Sequence, residues 1–65
     1  MITEIGIVAG EIWHFLDKSG QVTLGTLVNG LKQPRELILM SLGWLAREGH
    51  VIMVLESGDY KITLR

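Results

Sequence analysis

The chain has 65 residues, no cysteine, and six basic against seven acidic side chains for a net charge of −1; 48% of its residues are apolar and only 20% charged. That length suits a single domain spanning residues 1–65, and the lack of cysteine excludes disulfides and thiolate metal sites. The charge balance announces no polyanion partner. So high an apolar share around so small an interior predicts side chains left over for a second copy, hence a homodimer.

The longest apolar runs, Leu37 to Met40 and Val51 to Leu55, are too short to span a bilayer. No basic segment precedes an apolar stretch at the N-terminus, so the expected location is the cytoplasm, with no membrane partner.

In chain order, Thr3 is the expected cap of a first helix running to about Lys18, with Glu4 complementing its dipole. At 100° per residue, Ile5, Val8, Ala9, Ile12 and Leu16 form one stripe, with Phe15 on its edge. Ser19-Gly20 stops this helix, and Gln21-Val22 reads as a short extended piece. Thr23 then caps a brief second helix through Leu24, Leu27 and Val28, which Asn29-Gly30 should end with residues tolerant of positive φ. Leu31 to Gln33 makes a turn, and Pro34 suits the start of a third helix because its missing N–H needs no partner there. That helix runs to about Glu48, faces inward through Ile38, Ser41, Leu42 and Leu45, and closes at Gly49.

Two strands follow, Val51 to Glu56 and Tyr60 to Leu64, joined through Ser57-Gly58-Asp59. Setting Glu56 opposite Lys61 also sets Leu55 against Ile62 and Met53 against Leu64, which makes one apolar face and one cross-strand ion pair. The expected class is therefore α+β: three helices, a short strand and a C-terminal β-hairpin wing.

On this order, IGIVAGEIWHFL followed by SLGWLAREGHV resembles a family of small winged helix-turn-helix proteins of bacteria and archaea, of uncharacterised function, over nearly the whole chain. The resemblance implies the winged-helix fold. The wider class implies DNA binding and transcriptional regulation for many members and protein interaction for others; fold alone does not choose. Through the resemblance the expected role is nucleic-acid binding or transcriptional regulation as a homodimer, with a protein-interaction module that does not bind DNA as the alternative.

The residues weigh on that choice. In a helix-turn-helix protein the motif's second helix enters the major groove and reads base edges with bidentate donors and acceptors. Here that helix carries Glu36, Met40, Gly43 and Arg47 opposite its core stripe, flanked by Leu39 and Trp44. If double-stranded DNA is the partner, the candidates are Lys32, Arg35 and Arg47 from the motif and Lys61 from the wing. Arg35 would approach bases and the others phosphates. A firm binder neutralises about six to ten phosphates, and acidic Glu36, Glu48, Glu56 and Asp59 are interspersed with these cations.

The competing expectation is a dimer or interaction face at Gly6, Gly10, Trp13, Met40, Gly43 and Trp44. Each interior glycine costs a helix roughly 1 kcal/mol relative to alanine, a cost often tied to close approach of another backbone, and tryptophan is enriched at interface centres. Met40, Leu39, Ile7, Ile52 and Val54 also find no place in one small core. No catalytic, cofactor or metal residues are expected: His14 and His50 have no ligand at metal spacing, no serine has a histidine set beside it by any motif, and so short a chain lacks depth for a small-molecule substrate.

Overall fold

The structure is a computed structural model that describes residues 1–65. Six elements follow one another: α1 (Ile2–Ser19), β1 (Val22–Thr23), α2 (Leu24–Gly30), α3 (Arg35–Arg47), β2 (Val51–Glu56) and β3 (Asp59–Leu64). The strands form one antiparallel sheet in the order β1-β3-β2, so the last strand lies in the middle.

Local chemistry explains most boundaries. The first helix begins before Thr3, with Met1 as its cap residue and no side-chain cap. The Met1 ammonium instead pairs with Glu4 at 2.8 Å and holds the Glu4 carboxyl below its usual range. Gly20 ends the helix at φ +74°. Thr23 caps α2 as expected, its hydroxyl oxygen accepting from the Thr26 N–H at 3.1 Å. At the end of α3, Gly49 at φ +79° donates to the Ala46 carbonyl and His50 donates to Leu45, so two orphan carbonyls are satisfied in a Schellman closure.

Two expectations need correction. Asn29-Gly30 does not adopt positive φ: Gly30 is the last residue of α2, and Leu31 caps it in an extended conformation. Glycine is needed there for a different reason. A Cβ on Gly30 would stand 2.5 Å from Phe15 Cε2, so the ring of α1 occupies the space a side chain would take. The wing register also differs by two residues. Val54 lies opposite Lys61, Leu55 opposite Tyr60 and Glu56 opposite Asp59, so Glu56 and Lys61 are not partners. The turn decides this. Ser57 (φ +55°) and Gly58 (φ +77°) form a two-residue turn of the primed kind, whose twist matches the strands. Because strand side chains alternate, an even shift keeps each residue on its expected face.

The core is small. Eleven apolar residues and Ser41 are buried, among them Val8, Ala9, Ile12 and Leu16 of α1, and Ile38, Leu42 and Leu45 of α3. Ile62, from the central strand, is wholly buried on the side of the sheet that meets α1 and α2. All four residues expected to face inward from α3 do so. Twelve large apolar side chains remain exposed, including Ile7, Trp13, Leu39, Met40, Trp44, Ile52 and Val54. No helix is long and apolar enough to cross a membrane.

Candidate interaction surface

Six of the exposed apolar residues, Ile2, Trp13, Leu39, Trp44, Met53 and Tyr60, line hollows at the flanks of α3. On the flank toward α1, Trp44 lies over a shallow hollow of about 310 Å³ shared with Gly6, Ala9, Gly10, Trp13, Leu45 and His50. A second hollow, of about 330 Å³, continues past Gly6 to Ile2 and Ile5, with Trp44 again as its wall. A Cβ added to Gly6 or Gly10 would meet nothing within 4 Å, so these glycines are not shaped by packing within the chain. Residues 2, 6, 10 and 13 recur every three or four positions and so share one face of α1. Trp44 is 47% exposed and Trp13 38%, which puts two large apolar rings beside bare backbone.

The other flank of α3 faces the wing. Leu39, Leu42 and Gly43 line an apolar groove of about 330 Å³ with Leu24, Met53, Tyr60 and Ile62. Of the six residues expected at an interface, the structure therefore brings Gly6, Gly10, Trp13 and Trp44 together. Gly43 lies across the helix in the wing groove, and Met40 is exposed between the two flanks. Ile2 and His50 were not expected there. Ile2 was detectable, since it precedes Gly6 by one helical turn. His50 was not, because the chain reversal after Gly49 brings its ring to within 6.3 Å of Trp44. The other histidine, His14, sits edge-on to Trp13 at 5.5 Å.

The cations are dispersed. Lys32 lies in the turn before α3, and Arg35 and Arg47 are its first and last residues. Twelve positions separate those arginines, which is roughly 18 Å along the axis and about 120° around it. Lys61 lies on β3 next to inward-facing Ile62, so its side chain leaves the opposite face of the sheet, away from the helices. None of these four forms a salt bridge. Near the start of α3 stands a carboxylate: Gln33 Nε2 donates to both oxygens of Glu11, at 3.1 and 3.3 Å. The place where a phosphate would approach the helix N-terminus thus has an acid for a neighbour.

Residues 1–64 match the profile of the family described as Winged helix-turn-helix domain (DUF2582). The chain belongs to this family. Among solved structures it is similar to protein BT2368 from Bacteroides thetaiotaomicron, determined in solution by NMR. The two share 27% identity at a TM-score of 0.84, over 95% of this chain and 76% of that one. A comparison with curated proteins finds no match. In winged-helix terms, α2 and α3 form the helix-turn-helix, α3 stands in the recognition position, and β2 and β3 are the wing.

Proposed function

We propose that this winged-helix chain works in the cytoplasm as a homodimeric protein-interaction module and catalyses no reaction. One observation carries the reading. The surface of α3 that a DNA reader would fill with donors and acceptors holds Leu39, Met40, Gly43 and Trp44, and Trp44 walls an apolar hollow with Gly6 and Trp13. A protein covering that face would bury the exposed part of two tryptophans, 38% of Trp13 and 47% of Trp44, and could bring its backbone against Gly6 and Gly10. Duplex DNA would gain little from those groups, since base readout rests mainly on hydrogen-bonding side chains and apolar ones reach only the thymine methyl.

Double-stranded DNA is the second reading. It is favoured by membership in a helix-turn-helix family and by Lys32 and Arg35, exposed and unpaired at the start of the recognition helix. On this reading Lys32, Arg47 and Lys61 position the protein on phosphates and Arg35 approaches the bases. The experiment that separates the readings is titration with mixed-sequence duplex DNA at low salt, alongside sedimentation at on the order of 50 µM protein. The interaction reading expects a dimer and no DNA complex. A complex that weakens steeply with salt, and weakens further in Arg35→Ala, would overturn it in favour of DNA.

A further inference from the structure

The sheet ends in an uncovered edge. The order β1-β3-β2 leaves β2 with one open side. Which backbone groups face that side follows from the ladder. The Arg65 N–H donates to the His50 carbonyl at 3.0 Å, and from that pair the register continues through Ile52↔Thr63, Val54↔Lys61 and Glu56↔Asp59. Antiparallel ladders exchange hydrogen bonds at every second pair. His50, Ile52, Val54 and Glu56 therefore turn their backbone groups toward β3, and Val51, Met53 and Leu55 turn theirs outward. None of those three takes part in a backbone hydrogen bond outside the regular elements.

Natural edges are blunted by lysine, proline, a bulge or a covering loop. The stretch VIMVLE has neither lysine nor proline, and its pairing with β3 runs without a bulge. Ile52, Met53, Val54 and Leu55 are all more than a third exposed. Val51 at the start of the strand belongs to the core and is 4% exposed, but from Ile52 onward the edge is exposed, mainly apolar and unbroken, a template for another strand.

We propose that β2 is the self-association edge: two copies pair their β2 strands antiparallel about a two-fold axis at Met53, joining two sheets into one. The proposal rests on the homodimer reading and names its surface. The edge is self-complementary in one register. With Met53 opposite Met53 of the partner subunit, Val51 meets the partner's Leu55, and every outward N–H and C=O of the three residues finds a partner. A slip by one residue opposes outward groups to groups already bound to β3, and a slip by two leaves one outward residue at each end unpaired. The side chains agree with this register. Ile52 lies beside the partner's Val54, both on the outer face. Glu56 lies opposite the partner's His50, so an acid meets an imidazole and no like charges oppose each other. The edge shares only His50 with the hollow beneath Trp44.

The test is sedimentation equilibrium combined with amide hydrogen exchange by NMR, on the full chain and on Leu55→Pro. Leu55 is 61% exposed and its N–H points outward, so proline there removes no bond to β3. The expected result is a dimer in which the Val51, Met53 and Leu55 amides exchange more than about tenfold slower than in the dilute monomer. In Leu55→Pro, the two hydrogen bonds lost across the axis should weaken dimerisation by roughly thirtyfold. If proline disturbs the wing, as helical and strand circular dichroism would reveal, Ile52→Lys, which stands opposite uncharged Thr63, keeps every backbone group and should still weaken the dimer. A dimer whose three outward amides exchange freely, or that survives both substitutions, overturns the edge assignment but leaves the homodimer standing. A monomer throughout the concentration range overturns both.

Discussion

Ser41 lies on the face of α3 that packs toward α1. It is completely buried, and its hydroxyl has no hydrogen-bond partner. A buried polar group left unsatisfied costs about 1 to 3 kcal/mol. Ser41→Ala removes that group while leaving the Cβ in place, so the main cost is the void of a single oxygen, a few tenths of a kcal/mol at roughly 24 cal/mol per Å³. Alanine also favours the helix interior by about 0.5 kcal/mol. The net expectation is a gain of roughly 1 to 2 kcal/mol, or about 7 to 15 °C in melting temperature for a domain of this size. Urea unfolding at fixed protein concentration measures it. The midpoint should rise by about 1 M with the slope unchanged, and fixing the concentration keeps any association from masquerading as stability. A variant less stable than the parent would refute the reasoning, for it would mean that the hydroxyl makes a bond whose loss outweighs the desolvation gain.

Four further substitutions test other parts of the structure. Gly49→Ala forces a Cβ onto φ +79° at the closure of α3 and should cost about 1 to 2 kcal/mol in the same urea assay. Ser57→Asn places a residue that tolerates the left-handed region at φ +55° and should stabilise the wing turn by about 0.5 to 1 kcal/mol, read as a rise in melting temperature. Gly30→Ala drives a methyl into the Phe15 ring, so thermal unfolding should fall as for an overpacked core, about 1 to 3 kcal/mol. Trp44→Ala should cost the monomer about 2 to 3 kcal/mol, since the half of the side chain that is buried amounts to roughly 100 Å², and should sharply reduce binding of a fluorescent apolar dye to the hollow.

Much of the architecture was legible from residue spacing and turn chemistry. The inward stripe of α3 and the Gly20 and Gly49 stops follow from helical periodicity and from the need for positive φ. Gly30 looked like another stop because a glycine after Asn29 fits one. Its actual constraint is a ring fifteen positions earlier, a tertiary contact that local pattern cannot reveal. The residue pattern favours the wrong wing register because the Glu56–Lys61 attraction is visible in it and the twist of the Ser57-Gly58 turn is not. An exposed ion pair contributes at most about 1 kcal/mol, less than the strands lose when the connection between them has the wrong twist. The surplus of apolar side chains could be counted in advance. Their division into a hollow beside α1 and a groove beside the wing depends on where α3 crosses its neighbours, and spacing along one helix does not encode that.

His50 bonds in both directions along the backbone: its N–H closes α3 onto Leu45, and its carbonyl accepts from Arg65 at the base of the wing. Helix and hairpin, three residues apart in sequence, are thus pinned to each other at the last of the three. A partner seated on the Trp44 indole would therefore rest beside the one residue whose backbone bonds to both helix and hairpin.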